Sequence, residues 1–192
     1  MSKIRCASIV LATLALAAAA QAQTGRWPEK PVRVLVPFAA GGVVDILSRM
    51  MATRLAEELG TPFIPDNRPG AGGAIASEAA VRAAPDGYTV LVQATSYATA
   101  AAISKLPFDP IGGITPISTF AQGPLVLAVH PAVKAANLQE LIALAKSKPN
   151  ALNVGSQGNG SAGHLVAALL QQTANIELTH VPYKGDGPAV ID

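Results

Sequence analysis

The sequence predicts an α/β protein built on short parallel strands. Three observations carry that prediction. Short β-branched runs alternate with segments of helical apolar spacing along most of the chain. Glycine-rich loops repeatedly follow a strand-like run and precede a helix-like one. Half of the residues are apolar, yet glycine (17) and proline (15) are frequent, which suits short elements joined by tight structured loops.

Residues 1–22 are set apart from the fold. Lys3 and Arg5 form a positive n-region, Ile9 to Ala20 is an apolar run, and Ala20-Gln21-Ala22 reads as a small-x-small cleavage site. The run is too short to span a bilayer. The expected product is a processed, exported chain starting near Gln23. Its one cysteine, Cys6, lies inside the leader, so neither a disulfide nor a Cys-based metal site is expected in the mature chain. Lys3 and Arg5 also account for the whole formal charge of +2, leaving the mature chain neutral. Neutrality and an aromatic content of 4% argue against nucleic-acid binding, which needs a clustered basic surface and stacking platforms.

Val32 to Val36 is a buried-strand pattern, and Pro37-Phe38-Ala39-Ala40-Gly41-Gly42 is the loop that ends it. Val44, Leu47, Met51, Leu55 and Leu59 then recur at helical spacing until Gly60 closes the helix. A weak strand at Phe63 to Pro65, a loop through Asn67-Arg68-Pro69-Gly70-Ala71-Gly72-Gly73 and a helix over Ala74 to Ala84 form a second unit. Pro85-Asp86-Gly87 turns the chain into a strand over Tyr88 to Val92, with Gln93 to Tyr97 as its polar C-terminal edge. Ile114 to Phe120 and Leu125 to Val129 are further strand candidates.

Asn137 with Glu140 reads as a capping box opening a helix over Leu138 to Lys146. A strand at Leu152 to Val154, the loop Gly155 to Ser161, a helix from Ala162 to Thr173 and a strand from Ile176 to Val181 follow. The loop Pro182 to Pro188 then opens a last helix, with Pro188 placed to start it. That helix is cut about one turn in, at Asp192, so the chain reads as truncated.

Four loops, at 37–42, 94–97, 155–161 and 182–187, lie where α/β sheets bind ligands. Free N–H groups at helix starts attract anions there without a cationic side chain. The segments Pro37-Phe38-Ala39-Ala40-Gly41-Gly42-x-x-Asp45, Asn67 to Gly73, Ala84-Pro85-Asp86-Gly87-Tyr88-Thr89, Asn153-Val154-Gly155-Ser156-x-Gly158-Asn159-Gly160 and His180-Val181-Pro182-Tyr183-Lys184-Gly185 occur in that order. From about Trp27 to the last residue the chain thereby resembles the substrate receptors of tripartite tricarboxylate transporters, the Bug-type receptors.

The resemblance implies a type II periplasmic-binding-protein-like fold, with two Rossmann-like lobes closing over a carboxylate in the cleft between them. Residues 23–126 would form most of lobe 1 and 127–192 an incomplete lobe 2, without the chain's return to lobe 1. It further implies a periplasmic monomer that hands its ligand to the membrane subunits of a tripartite transporter or to a sensor. Di- or tricarboxylates, acidic amino acids and aromatic carboxylates all remain open as ligands. Where the family often has Ser or Thr after the glycine pair, this chain has Val43 and Val44, so no hydroxyl contact carries over.

The candidate ligand-binding residues are Phe38, Ala39, Gly41, Gly42, Thr95, Ser96, Tyr97, Ser156, Gly158, Asn159, Gly160, Ser161, His164, Tyr183 and Lys184. Phe38, Tyr183 and Lys184 owe their place to the resemblance. Thr95, Ser96 and Tyr97 are equally readable as strand-end turn formers, and His164 as a packing residue. Asp45 would repel an anion and is expected to order its own loop, as is Arg68. His130 and His180 read as structural, and with His164 they show no metal-ligand spacing. No catalytic residue, cofactor or metal is expected.

The rival is an NAD-dependent enzyme using Gly158-Asn159-Gly160-Ser161-Ala162-Gly163, a G-x-G-x-x-G match between a strand and a helix. It needs an acidic residue at the end of the next strand, where Val181 stands; Glu177 has the spacing but sits at the strand's start. Neither a G-x-S-x-G elbow nor a Walker loop supports a hydrolase.

Overall fold

The computed structural model describes residues 26–192. The leader, its cleavage site and Cys6 lie outside the described residues. Within them the chain is α/β with two parallel sheets. The first has the order β2-β1-β3, formed by β1 (Val32–Val36), β2 (Phe63–Asn67) and β3 (Thr89–Leu91). The second pairs β4 (Asn153–Ser156) with β5 (Thr179–Pro182). Helices α1 (Val43–Leu59), α2 (Ala74–Val81), α3 (Ser96–Ile103), α4 (Leu138–Ser147), α5 (Ala162–Ala174) and α6 (Asp186–Ile191) follow the strands, with a short 3-10 turn at Ala71–Gly73.

The first sheet is centred on β1 because its sequence permits nothing else. Val32, Val34, Leu35 and Val36 are fully buried, as a strand covered on both faces requires. Each contributes roughly 1.5–3 kcal/mol by leaving water. Val32 pairs with Phe63 and Val34 with Val90, so register brings the apolar ends together. Arg33, the one charged residue of β1, pairs with Asp66 of β2 at the exposed side. Val44, Met51, Leu55 and Ala56 of α1 pack on this core beside Ala52. Gly60 ends α1 in a left-handed conformation (φ 68°), its N–H donating to Ala56 O at 3.0 Å.

In the second sheet Val154 pairs with His180 and Ser156 with Pro182. Asn137 caps α4, its Oδ1 accepting from Glu140 N at 3.0 Å. The Glu140 carboxylate reaches back to Ala136 N and Asn137 Nδ2, both at 2.8 Å, so the reciprocal bond lands one residue earlier than in a standard box.

Three expectations need correction. Ile114–Phe120 and Leu125–Val129 form no strand, and residues 114–130 carry no regular structure. Their β-branched composition fits a pleat, but a strand exists only by pairing, and no described strand runs beside them. Ile117 and Val126 are 83% and 84% exposed. The strand expected from Ile176 begins at Thr179, because Asn175 in the left-handed region (φ 51°) ends α5 and turns the chain first. Ser96 and Tyr97, read as part of a polar strand edge, are the first residues of α3.

Candidate functional site

Loop 37–42 joins β1 to α1 and is fixed from inside the protein. Gly41, at φ 85°, turns its N–H back to Asp45 Oδ2 at 2.9 Å. Asp45 is 3% exposed and also accepts from Arg49 Nε at 3.0 Å and Asn67 Nδ2 at 2.9 Å. Asn67 Nδ2 donates as well to Phe38 O at 2.9 Å, and its Oδ1 accepts from Arg49 Nη2 at 3.0 Å. Burial works to raise the Asp45 carboxyl, but hydrogen bonds from Arg49, Gly41 and Asn67 and the Arg49 charge outweigh it. The carboxyl is therefore held below its usual range. Phe38 and Gly42 are buried, Ala39 is half-buried and Gly41 is exposed. Arg68 bonds Asp66 at 3.2 Å, while its N–H reaches Val36 O at 2.8 Å and extends the β1–β2 ladder by one rung.

At the end of β3, Thr95 is exposed at the start of α3 and makes no side-chain cap. Ser96 is 1% exposed, and its Oγ is the only buried side-chain polar atom among the described residues without a hydrogen-bond partner. Tyr97 donates its hydroxyl to Pro110 O at 2.7 Å, which ties α3 to the chain beyond it. Burial, with the nearby Asp109 charge, pushes the phenol's pKa up.

The loop after β4 is built on buried hydroxyls. Ser156 Oγ accepts from Gly158 N at 3.2 Å and shares a 2.7 Å hydrogen bond with His180 Nε2. Ser161 caps α5, accepting from His164 N at 3.2 Å. The His164 ring bonds back to the loop, its Nδ1 accepting from Gly160 N at 3.1 Å. The two imidazoles stack with centroids 4.1 Å apart and planes 9° apart. Burial, and then the neighbouring His164, push the His180 pKa down. His180 thus belongs to this loop's framework. Its strand position facing the loop was the available signal, and residue type alone did not give it.

These loops converge from both sheets on one seam. Ala39 N donates to Lys184 O at 2.8 Å, linking the β1 loop to the β5 loop. Gly185 is buried there, and a Cβ on it would lie 3.1 Å from Phe38 Cβ and 3.2 Å from Ala39 N. A Cβ on Gly187 would lie 3.1 Å from Ala40 O. On the other side, Gly72 faces the β4 loop so closely that a Cβ would stand 2.5 Å from Asn159 O. Thr99 Oγ1 donates to Gly160 O across the same junction. Thr99, Gln157 and Asp186 are seam residues that sequence reasoning passed over; each is polar and ordinary at its position, and only the fold brings them together. Tyr183 lies against Gly155 and its hydroxyl bonds Asp192, while the Lys184 side chain is exposed. Two open grooves, of about 500 and 640 Å³, lie elsewhere, along β2 and beside α1.

Among the described residues no cluster of three His, Cys, Asp or Glu side chains can hold a metal. The 158–163 loop does not suit a dinucleotide. A pyrophosphate would need the face that Gly72, Thr99 and Ile103 cover. Glu177 precedes β5 instead of ending it, and accepts from Asn150 Nδ2 at 2.7 Å.

Comparison with known proteins identifies a family. Residues 47–192 match the family described as tripartite tricarboxylate transporter family receptor. The chain is 37% identical over 187 residues to a protein named BugT from Bordetella pertussis, covering 96% of this chain and 57% of that one. A second relative from the same species is 38% identical over 186 residues, with 94% and 57% covered. Among solved structures, R. palustris Rpa4515 with adipate superposes with a TM-score of 0.83 at 35% identity. MatC from Rhodopseudomonas palustris with bound malate gives 0.79 at 34%. Both comparisons cover 86% of this chain, and 56% and 57% of the neighbour. The chain thus spans a little over half the length of the proteins it matches, and no helix among its described residues is long and apolar enough to cross a membrane. With the family profile matched across three quarters of its length, this chain belongs to the tripartite tricarboxylate transporter receptor family.

Proposed function

We propose that this chain is the ligand-capturing part of a periplasmic receptor for small carboxylates, which it delivers to the membrane subunits of a tripartite transporter without catalysis. The observation that carries the reading is the convergence of strand-end loops from two parallel sheets on one seam, where α1, α3 and α5 all begin. At α1 the N-cap Gly42 brings no capping side chain, so that helix start offers unpaired N–H groups and partial positive charge, a combination suited to carboxylates. The neighbours solved with adipate and malate support that ligand class.

In this reading residues 23–126 and 127–192 contribute to two lobes, and a leader ending near Ala22 directs export. Phe38, Ala39, Gly41 and Gly42 face Thr95, Ser96 and Tyr97 on one wall. Ser156, Gly158, Asn159, Gly160, Ser161 and His164, with Tyr183 and Lys184, form the other. Asp45 and Arg68 order the first wall. A ligand touching both walls stabilises the closed state only through contacts that the open state lacks. The orphaned Ser96 hydroxyl supports a polar ligand on the first wall.

The test is a thermal melt of the exported protein with a panel of organic acids and NAD. A ligand at a hundred times its Kd adds about 2.7 kcal/mol to stability, a rise of roughly 5–10 °C for a domain of this size. A shift with one carboxylate is the expected result. A shift with NAD alone, or with nothing, overturns the reading.

A further inference from the structure

A carboxylate stands in the middle of this anion-attracting seam. Asp186 opens α6 directly after the buried Gly185. Its Oδ1 accepts from Gln157 Nε2 at 2.7 Å, and Gln157 Oε1 in turn accepts from Gly163 N at 3.1 Å, which fixes the amide's orientation. Its Oδ2 faces the opposite wall, 3.5 Å from where a Cβ on Gly42 would stand. Gly42 is the N-cap of the 17-residue helix α1 and carries no side chain to cap it. Asp45, Asp66 and Asp86 each have a basic partner, at Arg49, Arg33 and Lys30. Among the described residues no lysine, arginine or histidine lies within ion-pair distance of Asp186.

We infer that Asp186 makes this receptor select acidic amino acids over plain diacids of the same length, its Oδ2 taking the ligand's ammonium while the adjacent ligand carboxylate meets the start of α1. The inference rests on the receptor reading. A plain dianion placed at the α1 N-terminus lies beside Asp186, and two like charges a few ångströms apart repel. An ammonium next to the carboxylate turns that repulsion into a charge-assisted hydrogen bond. Asp45 cannot serve in its place, since Gly41, Arg49 and Asn67 already occupy its oxygens.

The experiment is calorimetric titration of the protein expressed from its complete gene, using two pairs that differ only in the ammonium: aspartate with succinate, and glutamate with glutarate. Adipate and malate serve as further probes. The wild type is expected to favour the amino acid of at least one pair by on the order of 10- to 100-fold, the usual range for a hydrogen bond between charged groups. Asp186→Asn keeps the acceptor for Gln157 and should weaken the amino acid by a similar factor while tightening its diacid. The gain in diacid affinity itself shows that the variant folds. Equal affinities within both pairs in the wild type, or equal changes within both pairs in Asp186→Asn, overturn the inference. Binding of adipate or malate without either amino acid overturns it too and leaves the receptor reading standing. Binding of no carboxylate sinks both.

Discussion

Replacing Asp45 by asparagine tests whether the first wall of the seam is held by one buried charge. The carboxylate is 3% exposed and receives hydrogen bonds from Gly41 N, Arg49 Nε and Asn67 Nδ2 between 2.9 and 3.0 Å. An asparagine keeps one oxygen, which can accept from at most two of these three donors. Its amide N–H₂ then opposes donors of Arg49 or Asn67. Hydrogen bonds to charged groups are worth about 1.5–3 kcal/mol each, and the first-turn charge adds about 0.3–1 kcal/mol through the helix dipole. Part of this is recovered by relaxation of the half-exposed Arg49, so the expected loss is about 2–4 kcal/mol. Equilibrium unfolding in urea at pH 7 reads it directly. The sign of its pH dependence is fixed as well. The Asp45 carboxyl titrates below its usual range in the folded protein, so its contribution is full above about pH 4 and disappears as pH falls through the folded-state value. The gap between wild type and Asp45→Asn must therefore close on acidification. Arg54→Ala, which removes only exposed partners of Glu57 and Glu58, is the control and should cost under about 0.5 kcal/mol. A loss below about 0.5 kcal/mol for Asp45→Asn, or a gap that persists unchanged at pH 3, would refute the account of this loop.

Three further outcomes follow from the seam. His180 titrates below its usual value, so the folded state resists its protonation, and stability should fall as pH drops from about 6.5 through the folded-state value; His180→Gln should flatten that part of a melting-temperature profile. Ser96→Ala removes a hydroxyl that has no protein partner, so urea unfolding should change by less than about 0.5 kcal/mol while carboxylate affinity drops on the order of tenfold. Unchanged affinity would return Ser96 to a packing role. Gly72→Ala forces a Cβ into a left-handed position (φ 62°) and against Asn159 O, at a conformational cost of about 1–2 kcal/mol before the collision. It should weaken ligand binding at least tenfold by holding the two loops apart, and an unaltered binding isotherm would mean that this junction does not form in the liganded state.

What the sequence could and could not disclose divides along the range of the interaction. β1 was legible because four buried apolar residues in a five-residue run leave a central parallel strand as the only economical arrangement. The start of α4 was legible because Asn137 and Glu140 are three residues apart and bond each other. Glycine-rich loops could be placed at strand ends for the same local reason. By contrast, 114–130 has the composition of a strand, yet its state depends on a partner that local pattern does not name. Ser96 and Tyr97 read as strand edge and loop because the small residues from Ala98 to Ala102 give no amphipathic stripe, although the four alanines among them are good helix formers.

The seam itself was the least legible part, for a physical reason. Its strongest constraints are backbone approaches: Ala39 N to Lys184 O, Gly72 to Asn159 O and Gly187 to Ala40 O. A backbone carbonyl has no residue identity to read, and the glycines that permit such approaches could equally have been turn formers. The side chains that cross the seam, Thr99 and Asp186, belong to types found anywhere on a surface. The family motifs fall on loops that meet at the seam, because those loops must be thin enough to approach one another. They said little about ligand choice, since N–H groups recognise any carboxylate. Discrimination must then come from the few side chains that break the pattern of bare backbone, and in this seam the carboxylate without a basic partner is Asp186.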